Sequence, residues 1–64
     1  MQWTDIYDIV ISLEDLYPEY DIININFTDL RKIIILLNDF KDDPEKCNER
    51  ILEAIQGEWI KERG

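Results

Sequence analysis

The chain has 64 residues, with 15 Asp and Glu against 7 Lys and Arg, no histidine, and a net charge of −8. This charge argues against nucleic acid and anionic lipid as partners, because both require clustered Lys and Arg. A domain of this size buries only about 60% of the surface of its unfolded chain, so we expect function to depend on a surface rather than on a deep pocket.

The sequence predicts a single folded domain, residues 1–64. Its hydrophobic content of 45% is too high for a disordered acidic chain. Cys47 is the single cysteine, so no intrachain disulfide can form. No apolar run is long enough for a signal peptide or a membrane span, and we therefore expect a cytoplasmic protein.

The negative charge is concentrated in the first half of the chain. Residues 1–30 contain seven acids and no Lys or Arg, a net charge of −7, whereas residues 31–64 contain eight acids and seven bases, a net charge of −1. Such an uneven surface suits a cation or a basic partner.

The first predicted helix has Thr4 as its N-cap and ends before Pro18. Apolar residues recur at helical spacing and are expected to face the core. These residues are Ile6, Ile9, Val10, Leu13, Leu16 and Tyr17.

The acids of this helix are expected to point outward. Asp8 and Asp15 fall on the solvent stripe, with Asp5 and Glu14 at its edges. Asp5 and Asp8 suit the first turn of the helix, where the dipole favours negative charge. Glu14 and Asp15 lie in the unfavourable last turn, and no base close in sequence neutralises them.

Residues 18–27 predict a short extended connector, either a loop or a brief strand, because isoleucine alternates with asparagine from Ile23 to Asn26. Thr28 is expected to cap helix two, with Phe27 as a hydrophobic staple. Ile35 falls on the exposed side of this helix. The expected buried residues are Leu30, Ile33, Ile34, Leu37 and Phe40.

Helix three is expected to start with Asp43 as N-cap and Pro44 in its first turn, and to run toward Glu62. Asn48 falls on its inner stripe and needs a hydrogen-bond partner there, whereas Gly57 falls on its outer face. The other inner residues are Cys47, Ile51, Leu52, Ala54, Ile55 and Trp59.

The residue types argue against an enzyme. No histidine is present to activate Ser12 or Cys47 as a nucleophile. There is also no glycine-rich phosphate loop. Cys47, on an apolar stripe, is interpreted as a small core residue.

The acids could instead hold a hard cation, which prefers oxygen ligands. Asp8 and Asp15 are about 10.5 Å apart along a helix and cannot share one ion. Two weak surface sites are possible on spacing, one from Asp5 with Asp8 and one from Asp15, Glu19 and Asp21. A plain solvated acidic face is the alternative.

Segments along nearly the whole chain resemble the IscX family, small acidic accessory proteins of the bacterial ISC iron–sulfur cluster machinery. The segments are Trp3-Thr4-Asp5, Leu16-Tyr17-Pro18, Phe27-Thr28-Asp29-Leu30, Leu37 with Asp39-Phe40, Asp42-Asp43-Pro44, Asn48-Glu49 and Ile51-Leu52-Glu53-Ala54-Ile55 with Trp59.

The resemblance implies a mainly α, small three-helix domain related to a modified winged helix. It also implies a regulator or iron donor that binds the cysteine desulfurase at a basic patch, in competition with frataxin and ferredoxin, and that binds Fe²⁺ weakly, with no tightly bound cofactor. We expect a monomer. Three residues depart from the family pattern, which usually has histidine at Arg31, tryptophan at Ile33 and serine at Cys47.

The leading hypothesis is therefore an adaptor whose acidic face binds the desulfurase. An iron-delivery protein, with partner binding secondary, and a purely structural acidic module are the alternatives. The predicted partner-binding residues are Asp5, Asp8, Glu14, Asp15, Glu19 and Asp21, and the same residues without Glu14 are the predicted weak metal ligands.

Overall fold

The computed structural model describes all 64 residues as three α-helices joined by loops, with no β-strand. α1 spans Ile6–Leu16, α2 spans Phe27–Ile35 and α3 spans Glu49–Arg63, and a 3₁₀ helix, Pro44–Lys46, lies between α2 and α3. The predicted mainly α, three-helix domain is confirmed. The winged-helix likeness is not confirmed, because no strand forms that could make a wing. None of the helices combines the length and the apolar character needed to cross a bilayer.

One apolar cluster holds the helices together. α1 packs mainly against α3, and α2 contacts both. No polar or charged residue is buried in this cluster. Each large aliphatic side chain removed from water there contributes about 1.5–3 kcal/mol to folding. The buried residues are Trp3, Ile9, Val10, Leu13, Ile22, Ile25, Leu30, Ile34, Leu37, Phe40, Leu52, Ile55 and Trp59.

The N-terminal segment is tied to the loop before α3. Trp3 is buried, and its indole N–H donates to the Asp43 carbonyl at 2.8 Å. Its ring packs edge-on against Phe40, with 4.7 Å between the ring centres. The Lys41 N–H donates to the Met1 carbonyl at 2.9 Å. The helical periodicity of the sequence does not reach this segment, so Trp3 was not identified as a core residue.

The predicted caps of the first two helices are wrong by one or two residues. Asp5, not Thr4, precedes α1, and its carboxylate accepts from the Gln2 N–H at 2.8 Å instead of capping the helix. Asn26, not Thr28, caps α2. Its side chain accepts from the Asp29 N–H at 2.8 Å and donates to the Asp29 carboxylate at 3.1 Å. This reciprocal pair satisfies a free N–H of the first turn, so Phe27 lies inside the helix rather than before it.

The region predicted as the start of helix three forms two elements. Asp43 does act as an N-cap, and its side chain accepts from the Glu45 N–H at 2.9 Å, but it caps the 3₁₀ helix. The chain then becomes extended, and Asn48 caps α3 by accepting from the Ile51 N–H at 2.9 Å. Asn48 is therefore an exposed cap and not a buried amide.

The connector between α1 and α2 contains turns and no strand, so of the two predicted forms the loop is confirmed and the brief strand does not form. The Ile25 N–H donates to the Ile22 carbonyl at 3.4 Å, which places these two side chains in the core and leaves Ile23 74% exposed. Leu16 and Ala54, expected inside, are exposed. Ile35, expected outside, is half-buried and packs on the core.

Candidate interaction surface

The six predicted partner-binding acids all reach the surface, but their surroundings differ. Asp8, Asp15 and Glu19 are exposed, accept no hydrogen bond within the chain and form no ion pair. The other three each accept hydrogen bonds from the protein itself. The six acids therefore divide into free and engaged carboxylates. Asp5, Glu14 and Asp21 are the engaged ones.

The free acids of α1 lie around Ser12, at the centre of what we call the outer face of α1. We define this face as Asp5, Asp8, Ile11, Ser12 and Asp15, bordered by Asp39 and Glu62. Ser12 lines three adjoining shallow depressions. The first is lined by Ile11, Ser12, Glu14, Asp15, Pro18 and Glu62, the second by Met1, Ser12, Asp15, Leu16, Leu37, Asn38 and Asp39, and the third by Met1, Asp5, Asp8, Ile11, Ser12 and Asp39.

No lysine or arginine lines any of these depressions. Asp8 and Asp15 are about 10.5 Å apart along the helix, which is close to the Debye length of about 10 Å at 0.1 M salt. Their fields therefore add for a cation that approaches the surface. Asp39, in the loop after α2, joins this face only through folding, and its position in sequence gave no sign of it.

Glu14 has a different role from the one predicted, because α3 supplies its partners. The Trp59 indole N–H donates to the Glu14 carboxylate at 3.2 Å, and the Arg63 Nε donates to both of its oxygens at 3.2 Å. The guanidinium also lies 5.5 Å from the centre of the Trp59 ring. The expectation that no base neutralises Glu14 holds only for residues close in sequence.

Arg63 also holds the loop that follows α1. Its guanidinium donates to the Tyr17 carbonyl at 2.7 Å and to the Tyr20 carbonyl. We call Glu14, Tyr17, Tyr20, Trp59 and Arg63 the C-terminal clamp. The Tyr17 carbonyl also accepts from the Tyr20 N–H at 3.2 Å, so Arg63 adds a side-chain donor to the turn that follows α1. Arg63 lies four residues after Trp59 and so shares its inward face, a spacing from which the contact could have been predicted.

Glu19 and Asp21, which the sequence grouped with Asp15, lie in the connector between α1 and α2. The Asp21 carboxylate accepts from the Asn24 side-chain amide at 2.8 Å and from the Asn24 N–H at 3.4 Å, so it stabilises a local turn. Asp21 lines a separate, mostly apolar depression beside Ile23 and Ile60. Asp15 and Asp21 share no depression.

The structure contains no group of three or more acidic or cysteine side chains positioned to hold one metal ion. Asp15, Glu19 and Asp21 are therefore not assembled into a three-ligand centre. Asp5 and Asp8, the other predicted pair, do line one depression, together with Asp39. These three carboxylates likewise form no group positioned to hold one metal ion.

Cys47 is half-buried and packs against the core, as predicted. Burial raises the pKa of the Cys47 thiol above its usual value of 9.0, and nearby Arg31 offsets part of this rise. A thiol with a raised pKa is a poor nucleophile at neutral pH. Arg31 itself donates to the Pro44 carbonyl at 3.2 Å, so this departure from the family pattern holds the 3₁₀ helix against α2.

The fold and this surface together define a class of protein: a small acidic helical domain that presents unpaired carboxylates along one helix. A family model described as iron-sulphur cluster assembly matches residues 1–64. The chain belongs to this family, the IscX family.

One relative is an uncharacterized protein of Pseudomonas aeruginosa, which is 46% identical over 63 residues. The match covers 98% of this chain and 96% of the relative. Family membership indicates a role in iron–sulfur cluster assembly, in a family of accessory proteins rather than enzymes.

Proposed function

We propose that the protein is a cytoplasmic adaptor of iron–sulfur cluster assembly that binds the cysteine desulfurase through the outer face of α1. The observation that carries this proposal is the pair Asp8 and Asp15, both exposed and unpaired, on a surface without a lysine or arginine. A basic patch on the desulfurase is the complementary surface. Frataxin and ferredoxin would compete for the same patch.

The six predicted acids contribute unequally to the proposed binding. Asp8 and Asp15 supply the main attraction, because neither is neutralised within the chain. Glu19 is also unpaired but lies in the connector, and Asp5 and Asp21 pair with no base while their carboxylates accept hydrogen bonds that stabilise local turns. Glu14 mainly orders the end of α1 through the C-terminal clamp, so it positions the surface instead of contacting the partner.

A titration with the desulfurase at increasing ionic strength tests the proposal. Attraction between exposed charges is screened by salt, so the affinity and the association rate should both fall from about 0.05 M to about 0.5 M salt. Calorimetry gives the affinity, and stopped-flow fluorescence gives the rate. Affinity that does not change with salt would contradict binding through this surface, and no detectable complex at low salt would contradict the partner itself.

Ferrous iron is the second proposed ligand, held weakly as cargo rather than as a resident cofactor. The supporting observation is that Asp5, Asp8 and Asp39 line one depression. Their oxygen atoms are the donors that hard cations prefer, and a site open to solvent predicts low affinity. Iron delivery as the primary function would require uptake that is independent of the desulfurase.

Anaerobic calorimetry with Fe²⁺ separates the two predicted iron positions. We expect Asp5→Asn with Asp8→Asn to remove most of the binding heat. The triple variant Asp15→Asn, Glu19→Gln, Asp21→Asn tests the other cluster. If the triple variant loses iron while the double variant retains it, iron binds at the end of α1 and not near its start.

A further inference from the structure

An exposed isoleucine lies in the middle of the outer face of α1. Ile11 is 41% exposed and lines two of the depressions around Ser12. Asp5, Asp8 and Asp39 line the depression on one side of it. Glu14, Asp15 and Glu62 line the depression on the other side. A single exposed apolar residue is ordinary, but this one lines both depressions together with five carboxylates that pair with no Lys or Arg.

Further apolar surface extends from Ile11 along the helix. Tyr7 is 58% exposed and lies one turn before Ile11 on the same side of α1. Leu16, at the end of α1, is 59% exposed and lines the second depression around Ser12. Apolar and aromatic centres with a charged rim are characteristic of protein interfaces. The outer face therefore offers apolar contact as well as charge.

We propose that Ile11, with Tyr7 beside it, is the apolar anchor of the docking surface. Its occupant is an apolar side chain of a basic protein surface that carries Lys or Arg on both sides of it. Apart from Glu14, which Arg63 neutralises, five carboxylates and no Lys or Arg line the two depressions beside Ile11, so charge complementarity selects the basic partner. The one cationic group there is the Met1 ammonium, which donates to the Asp39 carbonyl. The inference rests on the proposed function and names the contact that the desulfurase would make.

The same charges make other occupants unfavourable. A second copy of this chain would bring another net charge of −8 to the interface. The distance of about 10.5 Å between Asp8 and Asp15 along α1 sets the approximate separation of the two basic groups that flank the apolar side chain. A partner that offers only the apolar side chain, or only the basic groups, would contact only part of this face.

Charge and apolar contact should affect binding in different ways. Exposed carboxylates speed association and make it dependent on salt. Removal of apolar surface from water is not screened by salt, so the contact of Ile11 should slow dissociation at every ionic strength. This difference allows the two contributions to be measured separately.

The experiment compares Ile11→Gln with Ile60→Gln in binding to the cysteine desulfurase. Ile60 is the matched control, because it is also a helical isoleucine, is also 41% exposed and lies in a separate depression. We expect Ile11→Gln to weaken binding about tenfold through faster dissociation, with the same salt dependence as the unchanged protein. Ile60→Gln should stay within about twofold of the unchanged protein. Thermal unfolding of both variants verifies that they fold.

The outcomes distinguish this inference from the proposed function. If the desulfurase binds and Ile11→Gln behaves like Ile60→Gln, the anchor is overturned while the proposed function stands. If the unchanged protein does not bind the desulfurase, the proposed function is wrong, and two synthetic helical peptides test the anchor by NMR titration.

Both peptides carry lysines at positions i and i+7, and the residue at i+4, on the same helix face, is leucine in one peptide and serine in the other. Tighter binding of the leucine peptide, lost in Ile11→Gln, supports the anchor. Equal binding of the two peptides overturns it.

Discussion

The C-terminal clamp and the outer face of α1 both use acids from the same helix, and they use them in opposite ways. Glu14 turns toward α3 and is neutralised by Arg63, whereas Asp15, the next residue, points to solvent without a partner. One step along a helix rotates a side chain by about 100°, which is enough to change its neighbours completely. The role of a carboxylate in this protein therefore depends on the element it faces, and not on the local density of acids.

The largest effect is expected when the clamp loses its aromatic centre. Trp59→Ala removes a fully buried ring and should cost about 3–5 kcal/mol, a large fraction of the stability of a small domain. Tyr7→Ala, at an exposed position of α1 beside the outer face, should change stability by less than about 0.5 kcal/mol. Urea denaturation followed by circular dichroism measures both. A Trp59→Ala protein with an unchanged midpoint would show that the clamp does not support the fold.

The two adjacent acids provide the sharpest test of the comparison. Glu14→Gln should lower stability by about 1 kcal/mol, because it weakens a charge-assisted contact that is only partly open to water. Asp15→Asn should leave stability unchanged or raise it by about 0.3 kcal/mol, because it removes a negative charge from the end of a helix. Thermal unfolding at pH 7 measures the difference. Equal effects of the two substitutions would mean that the assignment of Glu14 to the clamp is wrong.

Gly57→Ala allows the effect of overall stability to be measured separately from the effect of the Glu14 contacts in the clamp. Nothing lies within 4 Å of the position where the added methyl group would sit, so the substitution should stabilise α3 by about 0.5–1 kcal/mol. Combined with Glu14→Gln, it should restore much of the lost stability while the clamp stays broken. Hydrogen exchange of the loop after α1 should then remain faster than in the unchanged protein. Full protection of that loop would show that Glu14 acts only through overall stability.

Asp42 is stabilised by hydrogen bonds instead of by a base, and its substitution should have the smallest effect on stability. The pKa of Asp42 lies below its usual 3.8, first because the Trp3 N–H donates to it and then because the Asp43 N–H does. A lowered folded-state pKa gives stability that is complete above about pH 4 and is lost as the pH falls through the lower value.

Asp42→Asn should therefore make the acid side of the stability profile less steep. Urea denaturation at several pH values between about 2 and 5 would show this change. Asp8→Asn is the control, since its carboxylate accepts no hydrogen bond within the chain. The same profile for Asp42→Asn and the unchanged protein would contradict a role for these two hydrogen bonds.

Helical periodicity was sufficient to predict the three helices and most of the core. Ile9, Val10 and Leu13 repeat at the spacing of one helix face, and the structure buries all three. The errors at the starts of α2 and α3 occur where side chains compete for the first free N–H groups. Asn26 and Asn48 take the capping positions, because the side-chain oxygen of each accepts an N–H of the first turn.

The candidate site could be predicted only in part. Asp8 and Asp15 follow from their place on the outer stripe of α1. The contacts of Glu14 with Trp59 and Arg63 join residues 45 and 49 positions apart, and Asp39 reaches the outer face through a loop, so neither has a local pattern. The tertiary packing of α1 against α3 determines these contacts, and a single sequence does not reveal it.

The most direct measurement of the central claim compares two double variants with equal charge. Asp8→Asn with Asp15→Asn removes two charges from the outer face, and Glu49→Gln with Glu53→Gln removes two exposed charges from α3. At one low salt concentration, we expect the outer-face variant to bind the desulfurase about tenfold or more weakly, and the α3 variant to lose less than about threefold. Equal losses would mean that only the net charge matters, and no loss in either would contradict binding through the outer face of α1.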